Sequence, residues 1–231
     1  MSPKASVITL LLALVLSLAT AQTARSQTYT WNLDANGSWN TAGNWNPAVV
    51  PDAQGVTAVL GNVITADRTV TLSSSVSLGT LSFAGATHSY TVSGNSSTFL
   101  NLDNGGSPAL ITMPASVAAH QYIDAPLAAV SDLIVTNDTS SSNLLIRGGI
   151  NLGSRTMTFN GSGTVTIGST FGITGSNGLV VLDGPGQVLL EANNTGVKYV
   201  VNAGTLVVES NNAMSPSSFV ADLVTINNNA T

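Results

Sequence analysis

Two stretches, GPGQVLLEANNTG at 184–196 and VNAGTLVVESNNA at 201–213, decide the fold. Each holds a short run of apolar residues two apart, then breaks at a pair of asparagines. Residues two apart share one face of a strand, so Val188/Leu190 and Leu206/Val208 each turn inward together. Asparagine suits the break because it tolerates left-handed backbone and can stack on a copy of itself. Upstream, GSGTVTIG at 161–168 matches GPGQVLLE at 184–191 at an offset of 23 residues, while Val188, Leu206 and Val224 follow one another at 18 and 18. A repeat near 20 residues whose strands are too short to bury a face alone points to a solenoid.

The same apolar pairing runs back along the chain, at Leu100/Leu102, Leu133/Val135, Leu144/Ile146, Ile150/Leu152, Met157/Phe159 and Val165/Ile167, and forward to Val224/Ile226. No segment beyond the N-terminus sustains the three-and-four spacing of an amphipathic helix. The reading is an all-β chain forming a right-handed parallel β-helix. The rival is an antiparallel β-sandwich, which also has short strands at regular spacing. At about 20 residues per coil, eight to eleven coils are expected, in a rod of about 40–50 Å.

The first residues set the compartment. Lys4 precedes an apolar run from Val7 to Ala19, and the small residues Ala19, Thr20 and Ala21 follow. This is the order of a secretory signal peptide, residues 1–21, with a second acceptable cleavage site after Ser26. The apolar run falls short of the roughly 20 residues that span hydrocarbon. Cleavage after Ala21 removes one base and no acid from six basic and 11 acidic residues, moving the net charge from −5 to −6. An acidic chain with no basic run cannot neutralise phosphates, which excludes nucleic acid as a partner. The absence of cysteine excludes disulfides and thiolate chemistry. Charged residues make up 7% of the chain against about 25% in ordinary domains, so stability must come from backbone pairing and a continuous core.

Residues 27–66 differ in texture. TWNLDANGSWNTAGNWNPAVVP at 30–51 holds all three tryptophans, Trp31, Trp39 and Trp45. This segment reads as an N-terminal Trp-rich cap and first coil, with residues 67–231 as the body of the helix. A solenoid needs its terminal apolar column covered, which bulky indoles would do; exposed, coplanar indoles would instead stack on glycans. At the other end, strand-like LVTINNNAT closes the chain at Thr231. The expectation is a chain cut within a coil, belonging to a longer protein, or else a form that self-associates through the edge at Val224–Ile226.

These motifs resemble a known family. Trp31, Gly37-Ser38-Trp39, Asn44-Trp45 and Val50-Pro51, the strands at Thr69–Leu72 and Leu81–Phe83, the IDAPL segment at 123–127, and NAGTLVV at 202–208 are similar to bacterial proteins with autotransporter-associated (passenger-associated transport) β-strand repeats. The resemblance implies a β-helical passenger-type domain on, or released from, the outer membrane of a Gram-negative-type cell, and no catalytic residues. The chain lacks the family's C-terminal translocating barrel.

Residue chemistry agrees. No G-x-S-x-G elbow is present, since Ser162 and Ser176 lack a glycine two positions before. The two histidines, His88 and His120, read as solvated side chains. No H-E-x-x-H or calcium-loop motif occurs, and Asp103, Asp124, Asp132, Asp138 and Asp183 fall singly at turns. Gly161-Ser162-Gly163 and Gly184-Pro185-Gly186 lack the third glycine and the helix of a dinucleotide fingerprint. Arg68, Arg147, Arg155 and Lys198 are scattered, with Arg147 on an outward strand position. The sequence therefore predicts a secreted or surface-displayed, adhesin-like scaffold that is non-catalytic, uses no cofactor, and meets a cell-surface glycan or protein. The alternatives are a carbohydrate-binding module built on the three tryptophans, and a β-helical polysaccharide lyase or hydrolase, which would need paired carboxylates on one face.

Overall fold

A computed structural model describes residues 27–209 and 224–227. The signal peptide and Asn211–Asn212 lie outside the described residues. The chain winds into a parallel β-solenoid with three faces per turn. On the first face, registered pairing carries Tyr29 onto Ala58, Leu81, Ile111, Val135, Phe159, Leu182 and Val201. These eight rungs make seven turns, and Ile226 adds a ninth rung. On the second face, Val70, Val92, Ile123, Ile146, Ile167 and Leu190 stack in the same way. On the third, Val76, Leu100, Leu127, Ile150 and Ile173 do. All but Ile226 are buried, and they belong to one cluster that runs the length of the stack.

The alternation dictates this. In the strand Leu133–Asn137 the burial runs inward, outward, inward, outward, inward. Thr30, Val59, Ser82, Thr112 and Thr136 align on the outside of the first face. There, β-branched and hydroxyl side chains suit a half-solvated pleated surface. A sandwich is ruled out by the pairing, which is parallel everywhere among the described residues except between Thr28–Trp31 and Trp45–Asn46.

The coil is longer than the sequence suggested. From Tyr29 to Val201, seven turns take 172 residues, about 25 each, and the rise is about 34 Å at about 4.8 Å per turn. Three corners of unequal length separate the faces, so the residue offset varies from 30 for Leu81 to Ile111 down to 19 for Leu182 to Val201. The offsets of 23 and 18 at Val165–Val188 and Val188–Leu206 are true registers. The second 18 is not: Val224 stacks on Tyr199, on another face. Leu206 is only partly buried, while Val208 and Ile226 are exposed, because no further described rung lies over them.

Corner side chains tie successive coils together. The Asp52, Asp67 and Asp132 carboxylates accept the backbone N–H of Ser77, Ser89 and Thr156, one coil on, at 2.8–2.9 Å. Asn36 and Asn40 receive Thr69 and Ser73 likewise. Side chains ladder along the axis, the Asn202 amide donating to the Asp183 carboxylate and the Asn227 amide to the Asn202 side-chain oxygen. Corner N–H groups that the strands leave unpaired thus find partners. Buried Asn194 does the same inside the stack, accepting from the N–H of Ile173 at 2.6 Å.

Candidate functional site

The three tryptophans are buried, at 0–1% exposure. Trp45 pairs antiparallel with Trp31, so that Trp45–Asn46 lies along one edge of the first strand while Thr57–Leu60 occupies the other. The indoles meet edge to face, with Trp45 5.2 Å from Trp31 and 4.7 Å from Trp39. The Nε1–H groups of Trp31, Trp39 and Trp45 donate to the carbonyls of Leu33, Pro51 and Trp39, respectively. No indole face is left for a sugar, so the carbohydrate-binding alternative built on these residues is corrected: the edge-to-face packing consumes the surfaces that stacking would need. Beside the cluster, Asp34 accepts from the backbone and hydroxyl of Thr65 and from Arg68 at 2.6–3.1 Å. Those bonds, the Thr65 hydroxyl's foremost, hold its carboxyl at about 2, below the ordinary 3.8.

The histidines are not brought together with a nucleophile. His120 Nδ1 accepts the N–H of Asn143 on the next coil, and His88 lies 4.0 Å from the exposed Asp67. Among the described residues, no three His, Cys, Asp or Glu side chains gather where they could hold a metal. No helix among them is long and apolar enough to cross a membrane.

A concavity lies at the corner between the second and third faces. Seven residues separate Val92 from Leu100 there, and five separate Ile167 from Ile173. In the two coils between, only three residues intervene, 124–126 and 147–149. Two short corners between two long ones make a trough. Its floor is Asp124, Pro126, Arg147 and Gly148, and its walls are Gly94–Phe99 and Thr170–Phe171. The trough encloses about 480 Å³, and a further cleft of about 380 Å³ toward the third face shares Phe99, Pro126, Gly148 and Phe171 with it. Gly148 keeps the floor flat, since a Cβ there would overlap the backbone of Ala125.

Arg147 grips Asp124 bidentately, Nε to Oδ1 at 2.7 Å and Nη2 to Oδ2 at 2.8 Å. Its guanidinium carbon sits 4.5 Å from the centre of the Tyr122 ring. Planar pairing and ring contact fix the guanidinium, and the hydrogen bonds to Asp124 raise its pKa further. Both side chains keep about a third of their surface exposed. Arg147 does face outward, as its strand position implies, but its partnership with Asp124 was not visible in the sequence. The signal was there in the offset: 23 residues separate Asp124 from Arg147, the same as Ile123 from Ile146. Phe171, 60% exposed on the opposite wall, was missed because it stands at a corner rather than in an apolar pair.

No family model, curated protein or solved structure matches this chain.

Proposed function

We propose that the chain is an exported, non-catalytic β-solenoid scaffold, adhesin-like and displayed on or released from a Gram-negative-type cell surface, in the manner of autotransporter-associated repeat proteins. The stack itself carries this reading. A continuous apolar cluster runs along the interior beneath outward rows of Thr, Ser and Asn, and corner acids such as Asp52, Asp67 and Asp132 are spent on holding the next coil. Carboxylates bound to backbone N–H groups within the structure are scaffold parts rather than general acids or bases. The tryptophan cluster fits this reading as an N-terminal cap: Trp45–Asn46 pairs an edge that would otherwise invite another strand. The leader Lys4, Val7–Ala19 and Ala21 supports export.

Expressing the full chain in a Gram-negative host tests the proposal. A mature N-terminus at Gln22 or Gln27, recovered outside the cytoplasm, is expected. An uncleaved chain retained in the cytoplasm overturns export. Release of reducing or unsaturated ends from polysaccharide, abolished in Asp124→Asn, overturns the non-catalytic reading.

A further inference from the structure

We infer that the trough around Arg147 and Asp124 is a binding site for a neutral oligosaccharide. The site lies away from the tryptophans and does not depend on how the protein is exported.

The argument begins with charge. Arg147 and Asp124 neutralise each other on the floor, and no other charged side chain lines either cleft. In a chain of net charge −5, an anionic ligand would meet no spare cation here. The pair still offers hydrogen bonds. The guanidinium has five N–H donors and spends two on Asp124, while the carboxylate oxygens keep lone pairs. Donors and acceptors fixed in one plane suit vicinal hydroxyls, each of which both donates and accepts.

The walls supply the other half of sugar recognition. Phe171 is 60% exposed, and Phe99 is partly exposed across the floor. An aromatic held out in water beside a polar floor suits a ligand with one C–H face and one hydroxyl edge. A pyranose has that amphipathic build. An extended peptide fits less well. The floor's backbone is engaged along the axis, with Asp124 and Ala125 donating to the Val92 carbonyl and Leu100 donating to that of Pro126. A peptide strand laid here would lose its own main-chain hydrogen bonds to water without gaining new ones. The combined clefts are in the range of small-molecule sites.

The test is isothermal titration calorimetry of the mature chain against maltohexaose, cellohexaose, laminarihexaose, mannohexaose and xylohexaose, with hexagalacturonate as the acidic control. At least one neutral hexaose is expected to bind. Phe171→Ala is expected to weaken that binding about tenfold without moving the melting temperature, because the ring is already in water. Arg147→Gln is expected to weaken it as well, and a melt run beside it reports any loss of fold. Three results overturn the inference: no neutral hexaose binds at millimolar concentration, hexagalacturonate binds more tightly than all of them, or Phe171→Ala leaves the affinity unchanged. Binding without release of new sugar ends leaves the scaffold reading standing. Turnover would sink that reading while keeping the site.

Discussion

Phe159 and Thr158 are neighbours in one strand that face opposite ways, and substituting each tests the solenoid's central claim. Phe159 sits at 4% exposure between Val135 and Leu182 in the first-face column, while Thr158 lies outside, between Ile134 and Val181. Phe159→Ala empties a site with a coil above and a coil below. The loss comprises the transfer of a buried ring, about 1.5–3 kcal/mol, and a cavity the stacked coils cannot close. Together these reach about 3–5 kcal/mol. At about 2–4 °C per kcal/mol for a chain of this size, the melting temperature should fall by roughly 6–20 °C. Thr158→Val keeps β-branching, replaces a hydroxyl on a half-solvated row, and should stay within about 0.5 kcal/mol. Thermal melts by far-UV circular dichroism read the whole stack, and indole fluorescence reads only residues 31–45. Each coil contacts its neighbours alone, so the two probes also report whether the defect spreads to the N-terminal coil. Equal shifts for Phe159→Ala and Thr158→Val would refute the alternation on which the columns rest.

Gly161 has φ of +104°, and a Cβ there would overlap the Asn137 carbonyl, whereas Gly85 at φ +68° has open space around it. Gly161→Ala should therefore cost about 3 kcal/mol or more, and Gly85→Ala only about 1–2 kcal/mol, as compared by urea titration. Asp34 titrates at about 2 when folded and near 3.8 when free, so its contribution is complete above pH 3.8 and vanishes as pH falls toward 2. Asp34→Asn should flatten that part of the stability–pH curve; an unchanged slope would show that the Thr65 and Arg68 bonds are not formed in solution. Acrylamide should quench the native indoles weakly and the urea-unfolded ones strongly, and strong native quenching would contradict the burial of Trp31, Trp39 and Trp45.

What the sequence disclosed follows from how local each signal is. Inward pairs such as Met157/Phe159 were legible because the strand period of two needs no knowledge of neighbours. Coil length was not, because it is set by three corners whose lengths vary independently. Val224 illustrates the trap: its spacing from Leu206 repeats an offset seen one step earlier, yet it falls on the first face beside Tyr199. The tryptophans stood out by composition, but composition cannot say whether an indole is stacked on other indoles or left in water. Asp124 and Arg147 looked like isolated corner and strand residues, and only the register makes them one pair.

The same contrast explains where a fold of this kind can hold a function. The interior admits little change, since each inward residue contacts the rungs above and below and packing tolerates few altered methylenes. Corners lie outside that constraint, and their lengths differ without disturbing the columns: Val92, Ile123, Ile146 and Ile167 stay in register while the segments that follow them hold seven, three, three and five residues. Relief on the surface is therefore written in corner length, and chemistry in the few corner residues not committed to the next coil. Most corner acids are committed, as Asp52, Asp67 and Asp132 are to backbone N–H groups. Asp124 differs from those three, since its carboxylate holds a side chain, Arg147, with both ends of the pair open to solvent on the floor of the trough. A corner acid that turns toward a side chain in a cleft, rather than toward the scaffold, is the feature that separates a site from a joint in this molecule.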